Sequence, residues 1–213
     1  MSSMHDSLVN AIEKAKSLSK KRNFTQSIEL IMVLRNIDMR KPENRITLNV
    51  YLPNPIDKPV KVCVIGEGDF ALKAKEAGAD LVLTRADIER YGSDKKAAKK
   101  LAKEYDVFVA RADLMPLVGR YLGPILGPRG KMPLPVPPNA DLSTVIKRAR
   151  SLVRIRTRTQ PLIQCRIGTE NMSSEKIAEN AMAVLSAIER KIKSSQNIGA
   201  IYVKTTMGPT VKV

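Results

Sequence analysis

The hydrophobic period of this chain changes twice, and those changes constrain its architecture more than any single motif does. In residues 24–37 and 45–52 apolar side chains alternate (Ile28, Leu30, Met32, Leu34; then Ile46, Leu48, Val50), the period of a strand buried on one face. From Val60 the alternation gives way to short runs that are apolar throughout, residues 60–65, 81–84 and 107–110, separated by helical stretches at 69–76, 86–104, 115–122 and 142–152. Strands buried on both faces and separated by helices are the grammar of a parallel α/β sheet. Alternation then returns in residues 153–159 and 162–167. A helix follows with the stripe Ile177, Ala181, Val184, Leu185, Ile188 and Ile192, and a final strand at 200–205 ends the chain.

The outer parts supply the rest of the pattern. Leu8, Ala11, Ile12, Ala15 and Leu18 recur at helical spacing, which predicts an amphipathic helix ending near Arg22 and Asn23. The turn-like Arg40-Lys41-Pro42-Glu43-Asn44 suggests that the first two strands pair with each other in antiparallel fashion. Ser173 or Ser174 can cap the late helix, with Glu175 in its first turn and Arg190, Lys191 and Lys193 near its last, as the helix dipole favours. Pro53, Pro55 and Pro59 mark a connection between domains. Neither terminal part has enough elements for a stable sheet alone. The fold class expected is therefore α/β with two domains: a discontinuous α+β domain with a mostly antiparallel sheet, residues 1–59 and 154–213, and an inserted Rossmann-like parallel domain, residues 60–153.

Lys and Arg number 37 against 21 Asp and Glu, a net charge of +16, which points to a polyanion such as nucleic acid. The discontinuous domain holds 20 basic and 10 acidic residues, +10, and the insert 17 and 11, +6, so the former is the better RNA-binding candidate. With five Tyr, three Phe and no Trp, stacking platforms are scarce and recognition should rest on RNA shape. The one histidine, His5, is expected in a frayed tail, which leaves little material for acid–base or multi-histidine metal chemistry. Cys63 and Cys165 stand in apolar runs and read as buried thiols rather than a disulfide or metal site. No apolar stretch reaches membrane-span length, so a cytoplasmic protein without a membrane partner is expected.

Several motifs have two readings. Gly66-Glu67-Gly68-Asp69-Phe70-Ala71 has the spacing of a dinucleotide turn, but Glu67 and Asp69 stand where a pyrophosphate needs neutral donors, so a tight strand-to-helix turn is the plainer account. Residues 119–133 lack the spacing of a phosphate loop and read as a rigid basic surface loop carrying Arg129 and Lys131. Lys147, Arg148, Arg150, Arg154, Arg156 and Arg158 form a basic run that is either a solvated face or, through Arg154, Arg156 and Arg158 on one strand face, a phosphate-tracking row. Lys95, Lys96, Lys99, Lys100 and Lys103 on an Ala-rich helix read as solubility. The hydroxyl-rich stretches from Phe24 to Glu29 and from Thr205 to Pro209 suit 2′-hydroxyls and phosphates, and Gly208 allows close backbone approach.

KRNFTQSIEL, MRKPENRI, LGPRGKMP, CRIGTENM and TTMGP, in this order along the chain, resemble the family of large-subunit ribosomal protein number one, its archaeal branch more than its bacterial one. The resemblance implies a split ribosome-binding domain, an inserted Rossmann-like domain, and a structural, non-enzymatic role without cofactors. It further implies binding to the lateral-stalk rRNA of the large subunit, help in releasing deacylated tRNA from the exit site, and repression of translation through a similar fold in the protein's own mRNA. The protein would be a monomer outside the ribosome. Carried over by matched motif, the rRNA contacts are Phe24, Thr25, Ser27, Glu29, Gly168, Thr169, Thr206, Met207 and Gly208. Lys21, Arg22, Arg166 and Lys204 are added on electrostatic grounds. Two competing readings are an RNA-binding repressor or chaperone outside the ribosome, and a nucleotide-cofactor enzyme built on the Gly66 turn.

Overall fold

The computed structural model describes residues 2–57, 59–157, 159–192 and 197–213. In chain order the elements are α1 (Ser2–Ser17), β1 (Ser27–Leu34), β2 (Thr47–Tyr51), β3 (Val62–Ile65), α2 (Asp69–Glu76), β4 (Leu81–Leu83), α3 (Arg85–Ser93), α4 (Lys95–Glu104), β5 (Val107–Arg111), α5 (Met115–Tyr121), α6 (Gly123–Leu126), β6 (Leu134–Val136), α7 (Leu142–Arg150), β7 (Leu152–Arg156), β8 (Leu162–Thr169), α8 (Ser174–Lys191), β9 (Ile198–Thr205) and β10 (Val211–Lys212). The chain divides into two units, residues 1–58 with 151–213 and residues 59–150. Arg158 and Lys193, named above in the basic row and at a helix end, lie outside the described residues.

The discontinuous unit is built on a four-stranded antiparallel sheet in the order β10-β9-β1-β8. The inward phase of β1, Ile28, Leu30, Met32 and Leu34, is buried, as are Ile163, Cys165 and Ile167 of β8 and Val203 of β9. Leu8, Ile12 and Ala15 of α1 and Ile177, Ala181, Val184 and Ile188 of α8 belong to the same core. β2 and β7 form a separate two-stranded antiparallel ladder. The pairing of β1 with β2 expected from the intervening turn is therefore corrected. Both edges of β1 are taken by β8 and β9, and the long connection to β2 turns through Asn36 at φ 57° and a 3₁₀ turn at Pro42–Asn44.

Other boundaries moved for local reasons. α1 begins at Ser2, so His5 lies in a helix and not in a frayed tail, and it ends at Ser17 with Leu18 exposed. The stretch 86–104 is two helices, because the Asp94 side chain accepts the amides of Lys96 and Ala97 as the N-cap of α4. The run 119–133 is not a loop throughout: α6 forms within it and buries Leu126. β9 starts earlier than expected, and β10 adds an edge strand.

The inserted unit is a parallel sheet in the order β4-β3-β5-β6. α2 and α7 contact β3 from one face, while Cys63, Ile65, Phe108 and Ala110 share a core with α3 to α6. Pro135 is accepted because β6 is an edge strand. Both thiols are free and buried. Burial pushes Cys63 well above its ordinary pKa and Cys165 up to about 12. No helix among the described residues is long and apolar enough to cross a membrane.

One buried amide ties the first connection to the core of the discontinuous unit. Asn180 of α8 accepts from the Asn54 amide at 2.9 Å and donates to the carbonyls of Asn54 at 3.0 Å and Ile167 at 2.9 Å. Asn180→Leu strands these backbone groups and should cost about 1–3 kcal/mol in urea unfolding. In Asn180→Asp a desolvated carboxylate faces two carbonyls, which raises its folded-state pKa above the unfolded value near about 3.9. Its stability deficit should thus be largest at neutral pH and shrink as pH falls towards about 4. A deficit independent of pH would show that the carboxylate escapes to water.

Candidate nucleic-acid interface

Antiparallel pairing brings the start of β1 and the ends of β8 and β9 to one rim of the sheet, with Ser27 opposite Thr169 and Ile28 opposite Thr205. At this rim the inward phase of the strands turns from apolar to polar. Gln26, Thr169 and Thr205 are all buried, and each is satisfied internally. The Thr205 hydroxyl donates to Ser19 Oγ at 2.9 Å. The Thr169 hydroxyl donates to Asp57 Oδ2 at 3.4 Å. The Gln26 side chain accepts from the Met207 amide at 3.1 Å.

Thr206 closes the rim against β1: its amide donates to the Ser27 carbonyl at 3.0 Å, and its hydroxyl accepts from the Ser27 amide at 3.0 Å. Gly208 is required by the turn itself, since a Cβ there would lie 2.3 Å from Thr205 Oγ1. Its lack of a side chain is thus explained within the protein, without a ligand. Gly168 and Thr169 lie beneath the surface. A Cβ on Gly168 would stand 2.8 Å from Ile177 Cγ1, so this glycine lets α8 sit down on β8.

What remains outward is basic and partly apolar. Lys21, Arg22, Phe24 and Thr25 are exposed, and with Ser19, Asn23, Glu170 and Asn171 they line a shallow hollow of about 470 Å³. Arg166 and Lys204 flank Glu29 across three strands, each in register with it. Neither cation forms an ion pair within 4.0 Å with a described residue. Three exposed large apolar side chains, Leu18 (52%), Phe24 (51%) and Met207 (59%), belong to this rim, and only three others are exposed among the described residues.

The sequence motifs reach the exposed Lys21, Arg22, Phe24, Thr25 and Met207 of the rim, but helical spacing places Leu18 in the apolar stripe of α1, where the structure exposes it, and Ser19, Gln26 and Glu170 receive no individual role from them. One signal was present: Gln26 stands in phase with Ile28, Leu30 and Met32, so a polar side chain occupies an inward position.

Among the described residues the other motifs do not assemble a site of this kind. In the inserted unit the strand order reverses between β3 and β5, where an α/β sheet would hold a ligand. Arg111 there forms a fork with Asp113, at 2.7 and 2.6 Å, and approaches Glu67 at 4.0 Å. The Arg111 fork holds the Asp113 carboxyl below its usual range. Acidic side chains thus occupy the turn where a pyrophosphate would need donors. Gly66 is explained by packing, since a Cβ would meet Phe70 Cδ1 at 2.2 Å, and Gly68 by its φ of 59°. Lys131 donates to the Tyr105 carbonyl at 2.6 Å and Arg129 to that of Lys99 at 3.2 Å, so the expected basic loop spends part of its donors on the backbone of α4 and its C-terminal cap. The α4 lysines are all exposed around buried Ala98, Leu101 and Ala102. Arg154 is half-buried, and burial lowers its pKa, while Arg156 is exposed.

The family model described as "Ribosomal protein L1p/L10e family" matches residues 13–209. Relatives named "Large ribosomal subunit protein uL1" include one from Thermofilum pendens, 56% identical over 97% of this chain and 92% of its own length. Another, from Archaeoglobus fulgidus, is 52% identical over 98% and 97%. A third, from Methanothermobacter thermautotrophicus, is 49% identical over 99% and 100%.

The paired contacts of Thr206 with Ser27 yield a direct test of how the rim is closed. Thr206→Val should lose about 1–3 kcal/mol of stability by stranding the Ser27 amide, whereas Thr206→Ser, which keeps the hydroxyl, should unfold near wild type. Equal urea midpoints for the two variants would mean that the hydroxyl does not hold the rim.

Proposed function

The chain belongs to the ribosomal protein L1p/L10e family, a structural, non-enzymatic constituent of the large ribosomal subunit, and from that membership we propose that it binds the lateral-stalk rRNA through the rim of its discontinuous unit. The observation that carries the reading is the coincidence, on one rim, of Lys21, Arg22, Arg166 and Lys204 with exposed Phe24 and Met207. Cations supply the phosphate-neutralising part of RNA affinity. A fixed, preorganised backbone with two apolar contacts supplies the part that reads shape. Phe24, Thr25, Ser27, Glu29, Thr206, Met207 and Gly208 then form or shape the contact surface, and Gly168 and Thr169 support it from below.

Two further roles follow from the same reading. A surface that reads folded RNA by shape would accept an mRNA segment folded like the rRNA stalk, and so repress translation of the protein's own message. On the ribosome, the protein would help deacylated tRNA leave the exit site, with the inserted unit's 17 basic and 11 acidic residues available to a second RNA.

Full-chain variants separate the two kinds of contact. Lys204→Ala and Arg166→Ala should each reduce the slope of log affinity against log salt by up to about one unit. Phe24→Ala and Met207→Ala should weaken binding at every salt concentration and leave the slope alone. Filter binding to a lateral-stalk rRNA transcript measures both, and wild-type affinity in all four variants would place the RNA elsewhere on the protein.

A further inference from the structure

Gln26 is fully buried at the rim, and its amide group touches three separate segments. The two protons of its Nε2 are shared among three acceptors, Ser19 Oγ at 2.9 Å and the Lys20 carbonyl at 3.1 Å, both just beyond α1, and Glu170 Oε2 at 3.3 Å in the loop between β8 and α8. Its Oε1 accepts from the Met207 amide at 3.1 Å, in the turn between β9 and β10. The backbone joins in: the Gln26 amide donates to Glu170 Oε1 at 2.9 Å, and the Gln26 carbonyl accepts from the Glu170 amide at 3.0 Å.

We infer that Gln26 is the positioning residue of the rim, a buried donor–acceptor pair that fixes the Met207 turn relative to the end of α1 and the Glu170 loop. This rests on the RNA-binding reading of the same surface. The direction of the amide is dictated by its surroundings. One end faces a carbonyl, a hydroxyl and a carboxylate, all able to accept, and the other faces an N–H, which can only donate. Reversing it would set an oxygen against Glu170 and Lys20, and an N–H against the Met207 N–H. Isosteric Glu cannot substitute, because it places a second carboxylate against Glu170 in a buried position. Apolar residues of similar size would leave the Met207 amide and the Lys20 carbonyl without this partner. The exposed Phe24 and Met207 lie within two residues of Gln26 or on the turn it holds, so its chemistry reaches the surface through backbone alone.

The polarity argument supplies a rescue. In the double variant Gln26→Glu with Glu170→Gln the charge is exchanged, not added. The new carboxylate still accepts from the Met207 amide and now also from the new amide at 170; the Ser19 hydroxyl, which loses its Nε2 donor, can turn to donate to the carboxylate, and the Lys20 carbonyl is left without this partner. The test compares wild type, Q26E, E170Q and the double variant as full chains, each binding a lateral-stalk transcript of an archaeal large-subunit rRNA, with hydrogen exchange at the Met207 amide as a second readout.

Q26E should bind about tenfold or more weakly, the scale of a lost buried hydrogen bond, at a temperature where it is fully folded, and its Met207 amide should exchange faster. The double variant should recover to within about threefold of E170Q and regain slow exchange at Met207, a rescue that general destabilisation does not produce. A folded Q26E with wild-type affinity overturns the inference while leaving the RNA-binding reading intact. If Q26E does not fold, the double variant decides: affinity within about threefold of E170Q supports the exchange of polarity, and a folded double about tenfold weaker than E170Q overturns it. Failure of the wild type to bind the transcript in preference to an unrelated duplex overturns the RNA reading, and the inference with it.

Discussion

β1 lies between β8 and β9, and both of its edges are hydrogen-bonded to strands that come after the whole inserted unit. The first part of the chain therefore cannot complete a sheet until the last part has arrived. Pairing over such sequence distances is entropically costly and slow to form. The insertion itself limits that cost. β2 and β7 run antiparallel with Tyr51 opposite Leu152, and the Leu52 amide donates to the Ser151 carbonyl at 2.9 Å. The chain thus leaves and re-enters the discontinuous unit through neighbouring positions, so the inserted residues close a loop whose two ends are already held together.

The same arrangement explains why the candidate site lies at the rim. A central strand with two antiparallel partners brings one N-terminal and two C-terminal strand ends together, and with them three loops from distant parts of the sequence. An apolar core cannot simply stop at such an edge, because the last strand residues carry backbone groups that need partners. Here the inward phase ends in Gln26, Thr169 and Thr205, each bonded to another segment. Satisfied polar groups of this kind set a single geometry more strictly than apolar packing does. The exposed side chains above them are held by backbone that has little freedom to rearrange.

How legible each level was in the sequence follows from whether its signal is local. The parallel unit and the antiparallel strands were readable because periods of 2 and 3.6 are properties of contiguous residues. The partner of β1 was not: a turn-like stretch after a strand predicts a hairpin, and only the strengths of distant pairings decide otherwise. The break at Asp94 had a local signal in its capping side chain, as did the buried face that made α6 a helix. Exposed rim residues such as Phe24 and Met207 were reached through family motifs, since an exposed apolar residue at a strand end looks like any other strand terminus. Gln26 was visible as a polar residue in an apolar phase, but its partners, Glu170 and Met207, come from loops that no periodicity brings together.

The outer face of the rim is not the surface that generic attraction to polyanions would produce. Glu29 stands between Arg166 and Lys204, where opposite charges on neighbouring strands support the sheet pairing; towards a polyanion it has a second effect, because a carboxylate next to a phosphate is repelled and costs more as water is excluded. Its presence makes sense against a partner that offers donors as well as charge. RNA does so through its 2′-hydroxyls and the amino and imino groups of unpaired bases. On the proposed reading the two flanking cations would draw the backbone in, and the acid would penalise any docking that sets a phosphate at the centre of the row and favour one that sets a donor there. Discrimination of this kind comes from repulsion of wrong partners as much as attraction to the right one. On the proposed reading, a row of two cations about one acid would therefore favour folded RNA over other polyanions that charge alone would bind equally.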